Sequence, residues 1–217
     1  MRAPRTIAAL LALATSAACI APDPDPTVLV RTSRGVELGA STTHGVVFLG
    51  STAISGEAEV MAWFGDGPSL EPSLIEPLGA GLCTVDVDID LPMVPLSFDL
   101  PAEGARVEIR GRDVAGAWTR EARCVRDPLA DGLLLTVPDD PLPAESLGAG
   151  VYVRDRHERL RLLGLLTGRA LLVDGAGDER GPREVLVAVG PADLWRVVSY
   201  GRNRHRPQPW VYREDLE

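Results

Sequence analysis

The chain has 217 residues, enough for one or two domains with a sizeable core, and its 45% apolar and 24% charged residues are ordinary globular values. Its 22 Lys-plus-Arg positions are all arginine, which excludes a lysine nucleophile, a Schiff base and a phosphate-loop lysine. A net charge of −9 argues against a nucleic-acid partner.

At the N-terminus, Arg2 and Arg5 precede an apolar run at residues 7–14 that is too short to span a bilayer. Small residues Ser16, Ala17 and Ala18 then lead to Cys19. This layout predicts an export signal over residues 1–18. It resembles the bacterial lipoprotein signal, in which the cysteine becomes the acylated first residue, although Ser16 stands where that signal usually has Leu. The resemblance implies lipidation at Cys19, attachment to a membrane of the cell envelope, and a stiff Pro/Asp spacer over residues 19–27. Export without lipidation, with cleavage after Ala18 or Ala21, is the alternative. Export implies an oxidising compartment, where Cys83 and Cys124 can close one disulfide; two buried thiols are the alternative. With two cysteines and three scattered histidines there is no paired ligand spacing, so neither a metal nor another cofactor is expected.

Residues 27–32 are rich in β-formers, 45–49 is a short apolar run, and 59–64 reads as a strand closed by Gly65, Asp66 and Gly67. Residues 85–89 alternate apolar side chains with Asp86 and Asp88, and Asp90 follows on the same face. The three carboxylates read as a solvated edge, with a calcium site as the alternative. Further strands are expected at 106–110, 133–137, 151–153, 160–166, 170–173 and 185–189. Arg154, Arg156, Arg159 and Arg161, with His157, gather at a hairpin tip. They read as a solvated turn with local acidic partners; the alternative is a surface for an acidic partner. The helix expected at 192–200 follows Pro191 and carries Leu194, Val197 and Val198 on one side. Trp63, Trp118, Trp195 and Trp210 show no cage spacing and are expected to pack in a core or as anchors. Residues 202–217 form a peripheral tail. Many short strands with turns every ~8–12 residues predict an all-β fold, and alternation alone does not separate a barrel from a sandwich.

The order of landmarks separates them. Residues 28–39 suit an opening hairpin, 46–54 (VVFLGSTAI) a following strand, and 57–67 (EAEVMAWFGDG) a strand and turn. Residues 90–96 (DLPMVPL) form an acidic motif, and 102–111 (AEGARVEIRG) open a second set of strands. Residues 143–168 run through a Gly-rich turn, strand, hairpin and apolar strand, and 184–201 close with a strand and helix. In this order they resemble trypsin-like serine proteases of the bacterial high-temperature-requirement type. The resemblance implies two packed antiparallel six-stranded β-barrels with a short C-terminal helix. The first barrel would occupy 28–105, and the second barrel with the helix 106–201.

The same resemblance places the catalytic histidine at Thr52, the aspartate at Asp90 and the serine at Leu147, where the chain reads ESLGAG against the family's G-x-S-G-G-P. Acyl transfer needs a nucleophile, a base, a carboxylate to orient that base and amides for the oxyanion. Threonine carries no imidazole and leucine no nucleophile, so this alignment implies a chain without protease activity. A second register, His44, Asp90 and Ser146, keeps the chain order of an active serine endopeptidase. It leaves little room for strands between Val28 and His44, and it follows the serine with Leu147 instead of glycine. The resulting expectation is a non-catalytic envelope lipoprotein that binds or scaffolds, with a protein or peptide partner at the inter-barrel cleft or the Arg-rich hairpin. A β-sandwich lipoprotein without protease ancestry is the third reading.

Overall fold

A computed structural model describes residues 25–33, 35–50, 57–61, 69–85, 87, 91–127, 132–173 and 182–205. Six strands form the first barrel: β1 (Thr27–Thr32), β2 (Gly35–Thr42), β3 (Gly45–Leu49), β4 (Glu57–Met61), β5 (Ser69–Gly79) and β6 (Leu82–Val85). Six more form the second: β7 (Arg106–Asp113), β8 (Gly116–Val125), β9 (Leu133–Thr136), β10 (Gly150–Arg154), β11 (Leu160–Leu172) and β12 (Arg183–Val189). Helix α1 (Pro191–His205) follows. The first barrel runs β1-β2-β3-β6-β5-β4 and closes through antiparallel β1–β4 pairing. The second runs β7-β8-β9-β12-β11-β10 and closes through β7–β10. Adding six to each strand number turns one order into the other, so the two barrels share a topology. Closure of both sheets sets the sandwich reading aside.

Binary patterning explains the inward faces. In β7, Val107 and Ile109 are buried while Glu108, Arg110 and Arg112 on the other face are only partly covered. Strands at the seam between barrels lose this alternation because both faces are covered. Leu38 to Thr42 of β2 are all buried. In β11, Leu163 and Leu166 enter the core of the second barrel, and Leu162 and Leu165 enter the seam. Such strands read as continuous apolar runs. The seam also holds Val47, Leu82 and Tyr152, and it is capped by Leu194, Val197 and Val198 of α1. Residues 91–101 stitch the two halves. Val94 exchanges backbone hydrogen bonds with Ser41 and Thr43, and Leu162 donates to Pro95 and accepts from Ser97.

Several boundaries differ from the sequence expectation. The strand expected at 59–64 begins earlier, at Glu57, with 62–64 outside the described residues, and the strand Leu82–Val85 begins before the run expected at 85–89, of which 86, 88 and 89 lie outside the described residues. Runs 160–166 and 170–173 are one strand, continuous through a register shift between Leu166 and Gly168. The helix reaches beyond 192–200 to Pro191–His205. Strands β5 and β8 had no sequence signal of their own. Pro72 and Pro77 weaken β5, and β8 alternates charged residues with small Ala122 and Cys124.

The disulfide expected between Cys83 and Cys124 is absent; both are free, buried thiols. Cys83 lies in the core of the first barrel and Cys124 in the core of the second. A bond would require their Cα atoms within about 7 Å. Desolvation raises the Cys83 thiol, helped by Glu37. Desolvation also pushes Cys124 up to about 11, against a small lowering by Arg126. A disulfide reagent at pH 8 is therefore expected to find both thiols inert in the native chain and both reactive in guanidinium. A native chain with no titratable thiol after unfolding would contradict this. Because the folded chain keeps these thiols protonated, their contribution to stability is complete below the unfolded value. It is lost as pH rises from about 8.5 toward 11.

Candidate functional site

The Gly-rich turn before β10 packs against β2. Gly148 has φ +82°, and a Cβ there would lie 2.4 Å from the Leu38 carbonyl oxygen. Only glycine satisfies both the left-handed backbone and the close approach. The Gly148 amide donates to Leu166 O at 2.8 Å, Leu166 N donates to Ala149 O at 2.9 Å, and Ala149 N donates to Ser146 O at 3.1 Å. A Cβ at Gly150 would meet the Tyr152 hydroxyl at 2.4 Å. Tyr152 is fully buried and its hydroxyl has no hydrogen-bond partner among the described residues. Burial raises its pKa strongly, with Asp25 adding to the rise and Arg110 opposing it.

This turn settles the orientation of two candidate residues. Ser146 is 9% exposed and turned inward, whereas Leu147 is 57% exposed. Leu147 faces a cleft of about 780 Å³. One wall is the β1–β2 hairpin with Leu29, Val36, Glu37 and Leu38. The other is the β7–β8 hairpin with Arg112, Asp113, Val114 and Ala115, and Ala144 and Glu145 complete the rim. Arg112 donates to Asp25 at 2.7 Å, which pins the entry to β1 across the seam onto β7. Asp113 caps its own turn by accepting from the Ala115 amide at 2.8 Å. Val36 and Val114 carried no signal as site residues. The one available hint was a valine between Asp113 and Gly116, where a turn usually carries polar residues.

Thr52 and Asp90 lie outside the described residues, as do Cys19, Asp86 and Asp88. His44 is described, and it is exposed in the β2–β3 turn. Its amide donates to Thr42 Oγ1 at 3.1 Å, and Thr42 Oγ1 donates to Gly45 O at 2.7 Å. Along β2, Thr42 is four residues beyond Leu38, whose carbonyl abuts Gly148, which puts the turn about 13 Å from that contact. A general base must come within ~3 Å of the proton it takes. The fold therefore does not bring His44 to Ser146. Residue 50 leaves β3 from its other end, where Phe48 pairs Gly39 beside Leu38.

The Arg-rich tip forms a second concavity of about 630 Å³ with residues 96–101. Three of its four arginines are bonded to local carboxylates. Asp155 accepts from Arg159 at 2.9 Å and Arg161 at 3.0 Å, and Glu108 accepts from Arg154 at 2.8 Å. Desolvation pushes the Asp155 carboxyl up. Hydrogen bonds from Arg159, from the His157 and Arg159 amides and from Arg161 outweigh it and hold the carboxyl well below the usual range. Among the described residues, no cluster of His, Cys, Asp and Glu could hold a metal.

Comparison with solved structures identifies the architecture. It is a trypsin-like fold. The active form of the Rv3671c protease of M. tuberculosis matches with TM-score 0.56 at 16% identity, covering 80% of each chain. A variant of the HtrA-type protease AlgW with a tripeptide matches at 0.53 and 16% identity, over 84% of this chain and 62% of that one. A human pathogenic astrovirus serine protease matches at 0.51 and 14% identity, over 78% and 92%. No family model matches the sequence, and no curated protein does either. At such identities the likeness concerns the trypsin-like fold alone.

Proposed function

We propose that this chain is a non-catalytic, trypsin-like-fold lipoprotein of the bacterial cell envelope that binds a protein or peptide partner in its inter-barrel cleft. The observation that carries the reading is Leu147. Where the fold would aim a nucleophile, the chain turns an aliphatic side chain toward the cleft and buries the adjacent Ser146. His44, at the far end of β2, is out of reach as a base. Asp25 is six positions after Cys19, about 19 Å away if the Pro-rich spacer is extended. Asp25 is bonded to Arg112 on the cleft wall, so an acyl chain on Cys19 would hold the cleft close to the bilayer.

A fluorophosphonate probe is expected to leave the chain unlabelled under conditions that label an active serine protease. Labelling that disappears in Ser146→Ala would replace this reading with the active endopeptidase. Palmitate incorporation is expected in the native chain and lost in Cys19→Ser. Incorporation that persists in the variant would remove the anchor.

A further inference from the structure

We infer that the concavity at the Arg-rich β10–β11 hairpin binds a small phosphate monoester carried on an apolar body, with Arg156 and Arg161 holding the phosphate. Among the described residues this concavity shares no lining residue with the inter-barrel cleft, so the inference does not rest on the reading of that cleft. Its volume of about 630 Å³ lies within the ~300–1,000 Å³ of small-ligand sites. Leu96, Phe98, Pro101 and Val153 give it apolar wall, and Phe98 is fixed by stacking on Trp195 with ring centroids 4.2 Å apart.

Hydrogen bonding within the hairpin leaves donors to spare. Asp155 Oδ1 accepts the His157 amide at 2.8 Å and the Arg159 amide at 3.1 Å. Its Oδ2 accepts Arg159 Nε at 3.0 Å, Arg159 Nη2 at 2.9 Å and Arg161 Nε at 3.0 Å. Two guanidiniums therefore share one carboxylate. Arg161 is 32% exposed and gives only Nε to Asp155, so its two terminal nitrogens remain as a partly buried donor fork. Arg156 donates from Nε to His157 Nε2 at 3.0 Å, which accepts only while the imidazole is neutral, and it bonds no carboxylate among the described residues. Asp99, the other carboxylate among the described lining residues, bonds none of these three arginines. A carboxylate has two oxygens, which a single fork occupies. A phosphate monoester has three terminal oxygens and nearly two charges at neutral pH, so it can engage two forks at once. Because Asp155 already fixes Arg161, little side-chain ordering is left for the ligand to impose.

The test titrates the ¹⁵N-labelled full chain with phenyl phosphate, benzoate and inorganic phosphate at neutral pH, following backbone amides and arginine Nε–Hε resonances. Phenyl phosphate is expected to shift Arg156 and Arg161 and to bind about five- to ten-fold more tightly than benzoate. Inorganic phosphate should shift the same arginines but bind about three-fold more weakly, for want of the ring. Arg161→Gln should weaken phenyl phosphate about ten-fold. Arg161→Lys returns the charge without the fork and should recover little of that loss. In both variants Arg159 and the two amides still hold Asp155, so the hairpin amides should keep their positions in the free protein. Arg169→Gln, on the same strand but paired with Glu184, should bind as the native chain does. Full recovery in Arg161→Lys, or an equal loss in Arg169→Gln, would reduce the binding to general charge and overturn the inference. So would benzoate binding as tightly as phenyl phosphate, or phosphate binding indifferent to Arg161→Gln. Shifts confined to Val114 and Leu147 would place the ligand in the inter-barrel cleft, and no shift with any probe would leave the hairpin a solvated turn; either result overturns the inference.

Discussion

Gly148→Ala is expected to lower stability by about 3–4 kcal/mol, the sum of left-handed strain and overpacking against backbone, and to lower the melting temperature by roughly 6–16 °C. At φ +82° the new Cβ would meet the Leu38 carbonyl oxygen at 2.4 Å. Neither partner is a flexible side-chain end that can swing away. The turn is tied to Leu166 by its own amide, and Leu38 is held in β2 by pairing with Leu29. Relief would require the two barrels to separate at the seam. Gly168→Ala supplies the control in the same molecule. Its added Cβ meets nothing within 4 Å, so it should be within about 0.5–1 kcal/mol of the native chain. Thermal unfolding of both variants decides the matter. If Gly148→Ala melts with Gly168→Ala, the contact between β2 and the Gly-rich turn is not the constraint described.

Leu194→Ala is expected to cost about 2–5 kcal/mol, the range for truncating a fully buried leucine. Leu194 lies in the seam cluster, which combines side chains from both barrels, so the cavity would open where neither barrel alone can collapse to fill it. On the same helix, Trp195 is 46% exposed and stacks on Phe98 with ring centroids 4.2 Å apart. Trp195→Ala should cost about 1 kcal/mol for that stacking, with a modest area term in addition. Guanidinium midpoints for the two variants, measured side by side, give the order. A larger loss for Trp195→Ala than for Leu194→Ala would show that α1 is an attached appendage and not a cap on the seam.

The parts of this fold that were legible in the sequence are those with a local cause. Thr27–Thr32 and Gly45–Leu49 have the bounds their β-rich composition indicates, and Pro191 starts the helix where the apolar side chains Leu194, Val197 and Val198 begin to face one way. Strand β5 was not legible, because Pro72 and Pro77 argue against a strand unless its neighbours are known. Pairing with β4 and β6 overrides that local preference. The even pair Cys83 and Cys124, read together with an expected export signal, suggested a bond, yet spacing along a chain says nothing about which barrel core each residue enters. The cleft was legible only at Leu147. Its other apolar walls, Val36 and Val114, sit on hairpins 78 residues apart in sequence and meet only because the barrels pack.

By itself the sequence determined the class of the fold, through strand periodicity and turn spacing, and that position 147 carries an aliphatic side chain, which has no nucleophile in any conformation. Tertiary packing decided which way that turn faces. The close approach of Gly148 to Leu38 directs Leu147 outward and Ser146 inward, and β2 carries His44 to the opposite end of its barrel. It also decided that the carboxylates Glu37, Asp113 and Glu145 share one rim. The reason is physical: residue type sets what a side chain can do, whereas contact between distant hairpins exists only once two closed barrels share a seam.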